Sequence, residues 1–310
     1  MEWQKRAGIA LRTPSPPLQA RRKGRKGMNM GENGFVIRQM TKDDVELAVE
    51  WAAREGWNPG LNDAACFYDT DPHGFFIGEL NGEPAGCISA VSYEDSFGFI
   101  GFYIIRKELR GKWYGVELGK RAMSYLGTRN IGIDGVVGKI KNYEKFGFTL
   151  AHKNIRYEGR GGGSGSTGVV ELADIPFEMI VFYDSGIFPV QRATFLEGWI
   201  IQPDSASLGF LEDGELKGYG VIRPCRTGFK IGPLFADSSD IAERLFNALA
   251  GKVSAQTPVF LDIPAINPAA LALAGGHDMT PVFETGRMYN KEMPAVPMEK
   301  VFGITSFELG

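Results

Sequence analysis

From Gly34 onward the apolar positions recur at two spacings, every second residue in some stretches and every three or four in others. Phe35–Met40 alternates as a half-buried strand does. Thr41-Lys42-Asp43-Asp44 is a capping-box-like start for a helix running to about Glu55, and a short helix is expected over Asn62–Tyr68. Phe75–Leu80 and Ala85–Tyr93 flank Asn81-Gly82 and read as a hairpin. Phe97–Arg106, rich in aromatics and Ile, predicts another strand. Gly115–Thr128 has helical spacing through Val116, Leu118, Ala122, Met123 and Leu126. A strand near Ile131–Val137, a short helix near Asn142 and a strand over Thr149–Tyr157 close this unit.

A second unit repeats the order. Phe76–Cys87 and Leu208–Tyr219 each place an Asn/Asp-Gly-Glu turn between two strands, 132 residues apart. Strands over Phe229–Phe235, Pro258–Ile263 and Pro281–Tyr289 then alternate with helices over Ser239–Ala250 and Pro268–Ala274. A repeat this long points to duplication of a whole domain, since solenoid units run to about 20–50 residues. The Gly/Ser run 159–168 reads as a flexible linker. The expected organisation is thus two α/β (α+β) domains, residues 34–158 and 169–310, each a mixed, mostly antiparallel twisted sheet flanked by helices.

Composition narrows the classes. At 310 residues and 44% hydrophobic, the chain can bury two ordinary cores. It contains no run of 18 apolar residues, so no membrane span is expected. Cys66, Cys87 and Cys225 lie far apart, as do His73, His152 and His277. That argues against a disulfide framework or a local metal motif, and it suits a reducing cytoplasm. The net charge of −3 hides an asymmetry: residues 1–27 hold eight basic side chains against Glu2, leaving 26 basic and 36 acidic groups elsewhere. Residues 1–33, with Pro14, Pro16 and Pro17, read as a disordered basic arm. The acidic body is poorly suited to nucleic acid.

Candidate chemistry gathers where a strand runs into a helix at Arg110-Gly111-Lys112-Trp113-Tyr114-Gly115. Amides at a helix start are unsatisfied donors at the positive end of a dipole, and two glycines let the backbone approach an anion. Arg110 and Lys112 add positive charge, although neither known phosphate-loop fingerprint is present. Further on comes Asn142-Tyr143-Glu144-Lys145-Phe146-Gly147-Phe148.

With these two stretches the sequence resembles the GNAT (Gcn5-related) N-acetyltransferases. Arg110 and Gly115 fit their Arg/Gln-x-x-Gly-x-Gly/Ala loop; Tyr143, Gly147 and Phe148 fit their Tyr-x-x-x-Gly-Phe. Glu55–Gly60 and Phe302–Gly310 resemble a tandem-acetyltransferase subgroup with a GNAT-like second half. Trp113 departs from the pattern, standing at the loop's middle glycine. So does Phe99, which stands where many members carry a glutamate base.

The resemblance implies sheets splayed between strands four and five, and transfer of an acetyl group from acetyl-CoA to a small, amino-acid-like amine, with no metal. The backbone of Tyr103, Ile104 and Ile105 would hold the pantetheine, and residues Arg110, Gly111, Lys112, Trp113, Tyr114 and Gly115, with Asn142, the rest of the donor. Tyr143 would protonate the leaving thiolate. Glu94, beside Asp95, is a candidate base; Trp57, Asp69 and Asp71 are candidates for holding the acceptor. In the second half Ala236-Asp237-Ser238-Ser239-Asp240 replaces the loop and Ala274 the tyrosine, so that half is expected to be a non-catalytic partner shaping the cleft or a homodimer interface. The alternative is a pseudoenzyme that only senses acyl-CoA.

Overall fold

In a computed structural model, residues 34–163, 165 and 167–310 can be described. The basic arm lies outside these residues. Along the first half run β1 (Phe35–Gln39), α1 (Lys42–Arg54), α2 (Asp63–Thr70), β2 (Phe75–Leu80), β3 (Glu83–Tyr93), β4 (Phe97–Ile105), α3 (Tyr114–Leu126), β5 (Asn130–Val136), α4 (Ile140–Glu144) and β6 (Thr149–Arg160). The second half holds β7 (Val169–Glu171), α5 (Phe177–Ser185), α6 (Ala193–Trp199), β8 (Ala206–Glu212), β9 (Glu215–Pro224) and β10 (Phe229–Ala236). It ends with α7 (Ser239–Ala250), β11 (Pro258–Pro264), α8 (Pro268–Gly276), β12 (Thr280–Tyr289) and β13 (Val301–Gly303). The capping box is real: the Thr41 hydroxyl and amide pair reciprocally with Asp44. No helix among the described residues is long and apolar enough to cross a membrane.

Each half follows the same mostly antiparallel plan, with one parallel pair, β4–β5 in the first and β10–β11 in the second. The two sheets are nevertheless one. Strand order runs β1-β2-β3-β4-β5-β12-β6-β11-β10-β9-β8-β7. Thr149–Tyr157, expected to close the first unit, does not lie beside β5: β12 lies between β5 and β6, and β6 pairs with β11. Each half is therefore completed by a strand of the other.

Side chains explain the exchange. On one face of β6, Asn154 donates to Asp134 of β5 (2.8 Å) and Arg156 pairs with Asp262 of β11 (2.6 Å); Arg287 of β12 pairs with Asp134 (2.7 Å). The expected linker is also shorter than the Gly/Ser run. Gly159 and Arg160 are the last residues of β6, and the Gly161 and Gly162 amides donate to the carbonyls of Thr257 and Ala250 (2.8 and 2.9 Å). A Cβ on Gly161 would strike the backbone of Ser254, so the glycines there serve close packing.

Three cores result. α3 covers one outer face of the first half and α7 with α8 one outer face of the second. Between the halves α1, α2, α5, α6 and the tail from Ile304 share a single core, with Phe67 stacked on Trp199 at 5.8 Å. Charges are buried in the same seam: Asp63 of α2 and Arg223 of β9, both 0% exposed, pair at 2.8 Å, and Arg223 stacks on Trp199.

A buried pair is costly to break from one side, because the remaining charge is stranded. Arg223→Met should therefore destabilise the chain by about 3–5 kcal/mol in urea unfolding, and the double change with Asp63→Leu should recover most of it; equal loss in both would show that the pair is not the cause. His152, buried in the seam strand β6, should set acid sensitivity. Burial and then the nearby Arg287 guanidinium push its pKa down to about 3. The unfolded chain thus takes the proton first as pH falls, so stability is intact above about 6.5 and lost below it, by about 2 kcal/mol at pH 5. Melting His152→Gln beside wild type at pH 7.5 and 5 checks this: the variant should show the smaller acid loss.

Candidate active site

β4 and β5 pair only from Phe97↔Asn130 to Ile100↔Ile133. Beyond Ile100 lies a bulge in which Phe102 takes a φ of +46°, and β4 turns away from β5. The Tyr103, Ile104 and Ile105 edge that faces β5 is thereby left outside the ladder, while Ile104 and Ile105 stay paired to Cys87 and Gly86 of β3. Ile104 points into the central core; Tyr103 and Ile105 lie half-buried toward α3.

The loop after β4 delivers its backbone to this gap. Gly111 adopts a φ of +78° with open space where a side chain would be. α3 starts at Tyr114 with no side chain capping it, so its first amides keep their hydrogen-bonding capacity. Arg110 donates to the Ile105 carbonyl (2.8 Å) and pairs with Glu55 (2.6 Å), and Lys112 is exposed. Trp113 does not fill the loop: its ring sits edge-on to Phe35 of β1 at 5.4 Å and next to Tyr114. Gly115 makes room for Tyr103, whose hydroxyl would lie 2.5 Å from a Cβ there and would have to shift.

Tyr143 of α4 covers Gly135 of β5, where a Cβ would meet its ring at 2.6 Å. Burial, and then its neighbour Tyr103, push its pKa up to about 12, so it holds its proton at neutral pH. Its hydroxyl makes no hydrogen bond among the described residues. Asn142 beside it is exposed. The first half thus brings together a helix start open to an anion, a strand edge with free hydrogen-bonding groups, and a protonated phenol.

Other candidates are not brought there. Glu94 is exposed in the hairpin turn before β4, about 17 Å along the strand from the bulge at some 3.3 Å per residue, and Asp95 pairs with Arg129. Asp69 is exposed and pairs with Lys42. Asp71 is consumed structurally, accepting from the Ser92 amide and the Tyr125 hydroxyl (2.9 and 2.8 Å). Trp57 lies at the seam, its carbonyl accepting from Arg156 (2.6 Å).

The second half has the same slot in a different state. β10 and β11 separate beyond Ile231↔Leu261, and β13 enters there, pairing with β10 while the Ile304 amide donates to Asp262 of β11 (2.9 Å). Phe302 of β13 is 1% exposed. At the head of α7 the Ser238 hydroxyl accepts from the Ile241 amide (3.4 Å), and Asp237 pairs with Lys300. Slot and helix start are both satisfied from within. Nothing in the periodicity of residues 301–310 signals this; all ten are buried.

Residues 42–148 match the acetyltransferase (GNAT) family profile, and residues 180–303 match an acetyltransferase (GNAT) domain profile. The holothin acyltransferase of Pseudoalteromonas sp. is 29% identical over 273 residues, 86% of this chain and 92% of its own. A candidate acetyltransferase from Pyrococcus horikoshii shares the fold with a TM-score of 0.78 at 23% identity, covering 93% of this chain and 100% of its own. A tandem GNAT protein from the clavulanic acid biosynthesis pathway does so with 0.58 at 11%, over 84% and 99%. With GNAT matches on both halves and one strand plan repeated in each, the chain belongs to the GNAT acyltransferases as a tandem member.

Proposed function

We propose that the protein transfers an acetyl group from acetyl-CoA directly to the amine of a small, amino-acid-like acceptor, and that residues 34–158 carry the reaction. The observation behind this reading is the contrast between the slots: β4–β5 opens beside an uncapped helix, whereas β10–β11 is filled by β13 beside a capped one. In the first half the amides at the start of α3 and the cations Arg110 and Lys112 suit a pyrophosphate. The edge of Tyr103–Ile105, outside the ladder and occupied only where Arg110 donates to the Ile105 carbonyl, suits the amides of a pantetheine arm. In the second half Asp237 and Asp240 would repel the same anion. The relative named for holothin supports a small acceptor. Three free, buried thiols suit a reducing cytoplasm.

The chemistry follows from positions. Bringing amine and thioester together is worth roughly 7–11 kcal/mol. As the amine nitrogen bonds to the thioester carbon, the carbon–sulfur bond breaks, the departing thiolate takes the Tyr143 proton, and the proton that the nitrogen sheds as the amide forms restores Tyr143.

Calorimetry tests the donor site. Gly115→Glu sets negative charge and bulk at the α3 start and displaces the Tyr103 hydroxyl, so acetyl-CoA affinity should fall at least about tenfold, or 1.4 kcal/mol. Wild type should bind one acetyl-CoA per chain. Unchanged affinity, or a stoichiometry of two, would refute the assignment of the two slots.

Tyr143→Phe removes the hydroxyl alone. We expect kcat in a thiol-release assay to fall by about 10²–10⁴ while acetyl-CoA affinity holds. A variant that turns over like wild type would make the tyrosine structural.

A further inference from the structure

Glu308 is 2% exposed, yet neither of its carboxylate oxygens has a hydrogen-bond partner. A buried, unsatisfied carboxylate is costly, so its place matters. The tail crosses β4 at the bulge: the Glu308 carbonyl oxygen rests on Gly101, where any Cβ would collide with it. The Ser306 hydroxyl holds the tail there, accepting from the amides of Glu308 and Leu309 (3.3 and 3.0 Å), and the Leu309 carbonyl accepts from the Tyr93 hydroxyl (3.0 Å). The Glu308 side chain therefore begins at the point where β4 leaves β5.

Its electrostatic neighbours are cations of β6 and of the second half. Lys230, Arg156 and Arg223 act on it electrostatically, with Asp63 opposing. Arg156 and Arg223 are already paired, with Asp262 and Asp63. The Lys230 ammonium donates to the Asn58 carbonyl (3.0 Å), and Nη1 of Arg223 has no partner. No ion pair joins Glu308 to any of them among the described residues. A buried carboxylate and a buried guanidinium nitrogen are thus left without partners, with a buried ammonium within electrostatic reach of the carboxylate. Burial holds the Glu308 pKa above the usual carboxylate range and that of Lys230 below the usual ammonium range. Other acids are spoken for: Asp134 by Arg287 and Asn154, Asp71 by Tyr125 and Ser92.

We propose that Glu308 receives the ammonium group of the acceptor and takes its proton, while Lys230 and the free Nη1 of Arg223 bind a carboxylate of the same molecule. This rests on the acetyl-transfer reading above and supplies the base that the first half lacks. The ammonium gives one proton to the Glu308 carboxylate; the freed lone pair attacks the thioester carbon, the carbon–sulfur bond breaks, Tyr143 protonates the departing thiolate, and the second proton that the nitrogen sheds as the amide forms restores Tyr143. The acceptor class is a small amino acid or amino carboxylate.

Two probes of matched size separate a base from a structural group. β-Alanine carries an ionised amine at pH 7.5 and aminooxyacetate an un-ionised one, and both carry a carboxylate. Thiol release from acetyl-CoA is measured with each, and calorimetry with acetyl-CoA reports on the integrity of the fold. Glu308→Gln should lose about 100-fold on β-alanine, less than threefold on aminooxyacetate, and no acetyl-CoA affinity. Lys230→Met should raise KM for both probes. Equal losses on both probes, or none, would overturn Glu308 as the base. Wild type that binds acetyl-CoA but acylates neither probe would overturn the roles given to Glu308, Lys230 and Arg223 and leave the donor site standing. Wild type that does not bind acetyl-CoA would overturn the reading beneath it, and this one with it.

Discussion

The exchange of β6 and β12 is held by ion pairs that tolerate one register only. Arg156–Asp262 and Asp134–Arg287 both lie on the sheet face turned toward the seam. Strand side chains alternate, so a slip of one residue would turn Arg156 and Asn154 onto the face that Ile155 and Tyr157 occupy. The charges would then be buried without partners. Register, exchange and the relative placement of the halves are thus a single constraint. It carries the loop Trp57–Gly60, stitched to the second half through Asn58 and Thr227, and it carries the tail.

Duplication gave two copies of a splayed sheet, and the tail made them unequal. Strand edges that leave a ladder must find other partners. In the second half β13 supplies them from the same chain, and Ser238 caps the helix beside it. The first half has neither, so the edge of β4 beyond Ile100 and the start of α3 keep unsatisfied groups. One segment accomplishes both things: having filled the β10–β11 slot, it runs on to lie across Gly101 of β4. Closing one site and walling the other are consecutive steps along ten residues.

Much of this was legible in the residues. The element order of the first half follows from periodicity and capping, because α1, α3 and the β2–β3 hairpin are built from local signals: Thr41 with Asp44, helical apolar spacing, Asn81-Gly82. The loop Arg110–Gly115 and Tyr143 were legible as motifs. What escaped depends on distant partners. Strand pairing between β5 and β12 joins residues about 150 apart, and no local pattern encodes it. Asp71 looked free to meet an amine, but Tyr125 and Ser92 claim it in the fold. Gly115 looked like a glycine for a phosphate and is one for Tyr103 as well. Glu308 lies in the Phe302–Gly310 stretch that resembles the tandem subgroup, but nothing local there marks its carboxylate for chemistry.

The division of labour between the halves has a physical logic. A donor site needs unsatisfied backbone, which destabilises, and an acceptor site that discriminates needs buried polar groups left unpaired until the right molecule arrives. Placing both in one core of about 125 residues would concentrate the cost where the sheet is already broken by its splay. The seam distributes it. The first half keeps a well-packed α3 face behind its open slot, and the second half, its own slot closed and the apolar face of α7 buried, bears the buried charges of Lys230 and Arg223. On the proposed reading, the half whose own slot is closed is thus the one that carries the groups for the acceptor.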